Sequence, residues 1–307
     1  MIRLDKYNSK FEETYWTCVE NKIDVSTREQ IINSCRRFLP PDFFYGNNEF
    51  QELVLAPYEK LSSAQRYIEK HTREHMNAEC FDYDIQGRRI RNELFDKLYK
   101  AYDKIYRTKV GKNNLNVEMI YQLGITVCPY CNRAYINYRG ATISGAQLDH
   151  FFPRDAYPIF SVCLYNLVPS CDNCNRLKSN KSGRFASPFD DKIDWENSVH
   201  FCYWFMSENN KKIIIKSRKP IKHNIQNMKI DEAYQIHVND VEELLEKKQI
   251  YCQTQLKEFR EVLKRANISE QELKKMVFGP PITPQQFKTK PLSKMMHDLY
   301  KELQIYE

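Results

Sequence analysis

The chain contains no apolar run approaching the length needed to cross a bilayer. Its first residues, Met1-Ile2-Arg3-Leu4-Asp5-Lys6, lack the apolar core of a secretory signal. These two absences argue against a membrane partner and lead us to expect a cytoplasmic protein. There is no internal repeat and no low-complexity linker, which argues against a solenoid or a tethered array. Strong charge of one sign is missing too. A formal charge of +7 over 307 residues is too mild to argue for nucleic acid by itself. What is present, 42% hydrophobic and 28% charged residues, is the composition of a globular chain. Its length suffices for one large domain or for two or three small ones.

Ten cysteines in a large, apparently intracellular chain read as thiols or metal ligands rather than disulfides. Six of them, Cys18, Cys35, Cys80, Cys163, Cys202 and Cys252, are scattered, as expected of small buried apolar side chains. Charge is unevenly spread: residues 1–125 carry 20 basic and 19 acidic side chains, residues 196–307 carry 19 and 15. Lys211, Lys212, Lys216, Arg218, Lys219, Lys222 and Lys229 stand together without an intervening Asp or Glu. They suit either a solvated strand and turn or a strip that tracks phosphates.

Three regions differ in character. Residues 1–125 read as helical. Ser26 and Glu29 have capping-box spacing, with Ser26 as the N-cap of a helix running toward Phe38 and stopping before Pro40-Pro41. Ile90, Leu94, Leu98, Tyr102 and Ile105 recur at helical steps, and Gly111 ends that pattern. A short helix over 117–123 is closed by Gly124. No motif here carries chemistry of its own, so the region is expected to pack against a site or dock a partner. In residues 126–195, short strands are expected over 134–138 and 147–152, joined through Arg139-Gly140 and Ser144-Gly145. A helix over 171–179 should follow a turn at Val168-Pro169. In residues 196–307, Ile213-Ile214-Ile215 suggests a strand. The stretch 230–266 has no Gly or Pro and reads as one or two helices. Val238, Val241 and Leu245, then Cys252, Leu256, Phe259 and Leu263, form its apolar stripe. Ser269 and Glu272 repeat the capping-box spacing, Gly279-Pro280-Pro281 breaks the chain, and a closing helix spans 292–303.

The most specific signal is Cys128-Pro-Tyr-Cys131 followed by Cys171-Asp-Asn-Cys174. Two C-x-x-C pairs suit a tetrahedral Zn²⁺ site, and a two-residue gap lets both sulfurs of a pair turn toward one ion. A redox dithiol is the competing reading, but it does not account for two matched pairs. A closed four-cysteine site leaves no coordination position open, so such an ion holds shape, and any chemistry must come from residues between the pairs.

Those residues are Leu148-Asp149-His150-Phe151-Phe152-Pro153, then Tyr165-Asn166-Leu167-Val168-Pro169, then Cys174-Asn175-Arg176-Leu177-Lys178. Asp-His on a strand, Asn before a turn, and C-x-x-C-N-x-x-K on a helix resemble the HNH nucleases of the ββα-metal fold in their four-cysteine form. The surrounding D-H-F-F-P-R-D-A-Y-P, Y-N-L-V-P-S-C and S-P-F-D (Ser187–Asp190) also fit. The resemblance covers residues 126–195. It implies an α+β chain, mostly helical, enclosing a small HNH core with structural zinc. It implies His150 as general base, Asp149 and Asn175 as ligands of a catalytic Mg²⁺ or Mn²⁺, and Asn166 as the brace that orients His150.

The chemistry is coherent without the family. Phosphodiester hydrolysis needs an activated water and neutralisation of charge at the phosphate. A histidine suits the first task, and a lean set of hard oxygens suits Mg²⁺. Adjacent strand residues point to opposite faces, so Asp149 and His150 can serve one phosphate only where the strand ends or bends. Arg176 and Lys178 either touch phosphates or face solvent, and Arg154 and Arg184 are further candidates for substrate contact. His71, His75, His200, His223, His237 and His297 lack partners in sequence and are assigned no site.

The expected function is therefore hydrolysis of nucleic acid. DNA is the family's default substrate, and tRNA is compatible with the same site. The alternative is a zinc-stapled nucleic-acid-binding or adaptor subunit without catalysis. The flanks and Leu292-Ser293-Lys294-Met295-Met296 are similar to standalone HNH proteins of bacterial anti-phage systems of the Septu and retron-linked kinds. That likeness implies an ABC-type ATPase partner. A restriction-type or mobile-element enzyme is the other reading.

Overall fold

The computed structural model describes residues 1–179, 185–207, 210–251, 253–262 and 268–306. It is an α+β structure with four two-stranded antiparallel sheets among the described residues. No helix among them is long and apolar enough to cross a membrane.

The first region is helical: α1 (Ser9–Glu20), α2 (Val25–Cys35), α3 (Glu49–Val54), α4 (Tyr58–Tyr67), α5 (Arg73–Cys80), α6 (Glu93–Ile105) and α7 (Leu115–Leu123). A hairpin, β1 (Phe81–Tyr83) with β2 (Arg89–Arg91), precedes α6, and β3 (Lys109–Val110) with β4 (Asn113–Asn114) follows it. Helix α2 starts earlier than its sequence pattern suggested. Asp24, not Ser26, is the N-cap, because its extended backbone lets the carboxylate accept from both the N–H and the hydroxyl of Thr27. Ile90 also leaves the expected stripe. It lies exposed on β2, and Asn92 caps α6 two residues later by accepting from the Phe95 N–H. Phe95, Leu98, Ala101, Tyr102 and Ile105 form the buried face of α6, which packs on α1 and α2. Gly124 closes α7 at φ 61°, a left-handed conformation that glycine reaches without a Cβ clash.

Around the cysteine pairs the strand pairing differs from the expectation. Residues 134–138 form no strand, only isolated bridges at Val127–Tyr135 and Arg139–Ile143. Strand β5 (Gln147–His150) pairs instead with β6 (Leu167–Ser170), so Val168-Pro169 is strand and not turn. Asp149 lies opposite Val168, and His150 opposite Leu167. Pro169 is tolerated because β6 has no second partner whose ladder would need its N–H. Gly145 leads into β5 where a Cβ would stand 2.1 Å from the Asn137 carbonyl oxygen, so only glycine lets the two backbones approach. Helix α8 (Asp172–Lys178) follows β6 directly and packs on β5. Two antiparallel strands and one helix thus form a single compact unit.

The last region contains the hairpin β7 (Val199–Ser207) and β8 (Asn210–Ser217), then α9 (Ile221–Asn227), α10 (Ile230–Tyr234), α11 (Val238–Ile250), α12 (Gln253–Val262), α13 (Glu270–Phe278) and α14 (Ser293–Glu302). Val241 and Leu244 are buried on α11, and Leu256 on α12, whereas Phe259 is exposed. Cys252 and Leu263 of the expected stripe lie outside the described residues. Ser269 and Glu272 form the capping box of α13.

One hydrophobic cluster draws residues from all three regions, from Met1 to Ile305. Backbone bonds stitch the regions together around the first cysteine pair: Ile2 N–H to Pro129 O, Thr126 N–H to Lys288 O, and Leu292 N–H to Asn132 O. Of the scattered cysteines, Cys18, Cys35, Cys80 and Cys163 are buried in this core and Cys202 is half-buried. Every described cysteine is a free thiol.

Candidate active site

Cys128 and Cys131 sit on a tight knuckle. The Cys128 N–H donates to Ala134 O (2.9 Å), and the Asn132 N–H donates to Cys128 O (2.8 Å). Asn132 adopts φ 53°, which asparagine tolerates better than most residues. Its side chain is fully engaged, donating to Phe287 O and accepting from the Lys294 N–H. Cys171 caps α8, and Cys174 follows one turn later on the same face. The Cys171 N–H also donates to the Cys128 sulfur at 3.3 Å.

All four thiols are buried, and their sulfurs lie within 4.8 Å of one another. A tetrahedral thiolate site with Zn–S of about 2.3 Å needs sulfur separations of about 3.8 Å, so the cluster fits such an ion. Burial pushes the Cys128 thiol up, while hydrogen bonds from Cys128, Cys171 and Cys174 hold the Cys131 thiol well below its ordinary range. Four crowded sulfurs cannot all ionise without a cation among them. The cluster can hold a metal ion such as zinc.

On the other side of β5 lies a cleft of about 500 Å³. Asp149, His150, Arg154, Asn175 and Arg176 line it together. Strand β5 ends at His150, which allows two neighbours on a strand to reach one space. Tyr99, Tyr102 and Tyr106 of α6 form the opposite wall, so the first region supplies part of the site.

Asp149 is almost fully buried and each of its oxygens is engaged. Lys178 Nζ donates to Oδ1 at 3.1 Å, and the Tyr130 hydroxyl donates to Oδ2 at 2.6 Å. Lys178 is wholly buried and also donates to His150 O at 3.0 Å. It does not face solvent, contrary to that sequence expectation, and its charge is paired with Asp149. The helical pattern carried the signal: Lys178 lies one turn beyond Cys174, on the buried face of α8. Tyr130, inside the first C-x-x-C, was also missed. Its hydroxyl is held protonated by burial and by the charge of Asp149.

The His150 ring meets Tyr102 edge-on at 4.6 Å, and its Nε2 lies 3.0 Å from Ser161 O. A carbonyl can only accept, so Nε2 carries the proton and Nδ1 of the neutral ring keeps a lone pair. Burial, then the Arg154 guanidinium, lower the imidazole pKa to about 3, which keeps the ring neutral at neutral pH. Asn166 is fully buried and binds only backbone: it accepts from Phe152 N–H and donates to Phe152 O and Phe160 O. It thereby pins the loop that carries the Ser161 carbonyl.

Asn175 is oriented by a relay that begins at a group with only one role. The Asp172 carboxylate accepts from Gln147 Nε2 at 2.7 Å. Gln147 Oε1 must then accept from Asn175 Nδ2. That leaves the Asn175 carbonyl oxygen as the atom it can offer an ion. Arg176 is exposed and donates to Asn173. Arg154 stacks on Tyr99, its guanidinium carbon 3.7 Å from the ring centroid. Arg184 lies outside the described residues. None of the seven cations between Lys211 and Lys229 lines the cleft. Lys211 pairs with Glu242 and Lys229 with Glu232. The other six histidines stand away from the cleft as well; His237, for example, bridges Arg133 and Asp240.

Comparison with protein-family models, with curated proteins and with solved structures finds no match for this chain. The functional reading therefore rests on the site's own chemistry.

Proposed function

We propose that the chain is a metal-dependent HNH endonuclease that hydrolyses phosphodiester bonds in nucleic acid, its β5–β6–α8 unit being a ββα-metal core stapled by zinc. The observation that carries the reading is the cleft itself. A neutral histidine with a lone pair on Nδ1 shares it with a carboxylate, an oriented amide oxygen and an arginine. His150 takes a proton from the attacking water, and the Ser161 carbonyl fixes its tautomer. Asp149 and Asn175 are the residues that would hold a divalent ion, which when bound supplies neutralisation at the phosphate. They fit one that keeps most of its shell as water and substrate: the carboxylate offers about four lone-pair sites, of which Lys178 and Tyr130 take two. Zinc, held by Cys128, Cys131, Cys171 and Cys174, fixes α8 and with it Asn175.

One observation favours a second reading. Lys178 already neutralises Asp149, which suits a zinc-stapled binding or adaptor subunit that does not cut. The two are separated by incubating purified protein with plasmid, single-stranded DNA and tRNA, with and without Mg²⁺ or Mn²⁺. Metal-dependent cleavage is expected, falling roughly 10²–10⁴-fold in His150→Ala with the circular dichroism spectrum unchanged. Cleavage that persists in that variant removes His150 as the base, and no cleavage by the parent protein favours the adaptor. Service in a bacterial anti-phage complex with an ABC-type ATPase follows from resemblance alone. Co-purification from the native host tests it.

A further inference from the structure

We propose that Arg154 is the phosphate-binding residue of the cleft, held ready by an Arg91–Tyr99–Arg154 stack. The proposal deepens the nuclease reading and rests on it for the identity of the anion as a phosphodiester. Arg154 follows His150 by four residues, on the loop that leaves β5. Its guanidinium carbon lies 3.7 Å from the Tyr99 centroid and 5.2 Å from that of Tyr102. The Arg91 guanidinium carbon lies 3.6 Å from the same Tyr99 ring. Two guanidinium groups thus flank one tyrosine, and each has one buried nitrogen without a hydrogen-bond partner, Nε of Arg91 and Nη1 of Arg154; the difference lies in their ion pairing. Arg91 donates to the Asp155 carboxylate at 2.8 Å. Among the described residues Arg154 makes no ion pair, and its Nη1 is buried without a hydrogen-bond partner.

Arg154 as a residue is only half-buried and lines the cleft, so a guanidinium that no carboxylate neutralises stands where an anion can reach it. Of the three acids that line the cleft, Asp149 is matched by Lys178 and Asp155 by Arg91, while Asp103 of α6 is exposed to solvent and makes no ion pair with Arg154. The ligand must be an acceptor-only anion, since a guanidinium has no acceptor to offer. A phosphodiester presents two oxygens that match the planar fork. Stacking on Tyr99 lowers the entropy lost when the fork engages. The aromatic contact also lets an arginine stay in place beside His150 without folding back onto a carboxylate. Tyr99 and Arg91 are accordingly positioning residues, and Arg154 touches the substrate.

The test reads binding rather than cleavage, so that its failure is distinct from failure of the hydrolytic reading. Fluorescent duplex DNA, single-stranded DNA and tRNA are titrated with His150→Ala protein across a salt series. Adding Arg154→Ala is expected to weaken binding about tenfold or more. It should also flatten the slope of log affinity against log salt by about 0.9 for duplex or about 0.7 for single strands, the signature of one lost phosphate contact. Arg154→Lys should keep the slope while losing affinity, because the charge remains and the fork does not. Arg91→Ala should weaken binding without changing the slope. An unchanged slope in Arg154→Ala, with folding confirmed by circular dichroism, overturns the proposal, and so does absence of binding to all three nucleic acids. A flattened slope in a protein whose parent cuts nothing keeps the phosphate site and removes the nuclease.

Discussion

Helix α8 connects two regions built on opposite terms. At its start, the sulfur cluster is dry and closed on all sides, and each sulfur is within reach of the other three. Along its other face, the cleft keeps groups with capacity to spare: Nδ1 of His150, the carbonyl oxygen of Asn175, the unpaired guanidinium of Arg154. The helix is only seven residues long, from Asp172 to Lys178, so the rigidity of the first region sets the geometry of the second. A four-cysteine site has no coordination position left for substrate, whereas the cleft has donors and acceptors that nothing among the described residues satisfies.

The sharpest way to break the comparison is to remove the metal. Chelation, or Cys171→Ser with Cys174→Ser, should melt the β5–β6–α8 unit and abolish cleavage together. Structural zinc in small sites contributes on the order of 10–16 kcal/mol apparent. Elemental analysis should find one zinc per chain, and a stripped protein with an unaltered thermal midpoint would sink the staple. Next comes Lys178→Met, set against Lys294→Met. Lys294 forms a second buried pair, with Asp298 on the same helix α14, and is not among the residues that line the cleft. Each change leaves a buried carboxylate without its cation and should cost about 3–5 kcal/mol in urea unfolding. Only the variant at 178 should alter the Mg²⁺ dependence of cleavage. A smaller effect is expected from Gln147→Leu, which breaks the relay from Asp172 and lets the Asn175 amide turn over. The Mg²⁺ concentration for half-maximal cleavage should rise about 10–100-fold, with the thermal midpoint nearly unchanged. An unmoved Mg²⁺ requirement would show that the relay does not orient the amide.

The smallest effect belongs far from both regions. Asp24→Ala should lower the thermal midpoint slightly and leave cleavage alone, whereas Ser26→Ala should change neither. Thr27 holds the Asp24 carboxyl below its ordinary range. A depressed carboxylate stabilises the fold above the unfolded-state value and loses that contribution as pH falls. The difference between parent and Asp24→Ala should therefore be present at neutral pH and fade in acid. A difference that persisted undiminished in acid would remove the carboxylate cap.

What was legible in the sequence was local. Cysteine spacing, the helix after Cys171, the Gly124 cap and the Ser269 box depend on residues within a turn or two of one another, and the structure contains each. What was missed depends on partners far along the chain. Pro169 reads as a turn until β5 is known to lie beside it, 21 residues upstream at Leu148. Lys178 reads as a surface cation until Asp149, 29 residues away, is placed against it. The tyrosine wall of α6 carries no signal, because a three-to-four-residue aromatic stripe is what any core-facing helix shows. Asp24 was missed for a different reason: two capping candidates stood two residues apart, and only backbone conformation distinguishes them.

Tyr130 stands between Cys128 and Cys131 and gives its hydroxyl to Asp149 across 2.6 Å. An oxidant that linked those thiols to one another would have to turn the knuckle, and the tyrosine with it. The sulfur cluster and the cleft are thus joined by this phenol as well as by α8, so oxidation of the first would disturb the second.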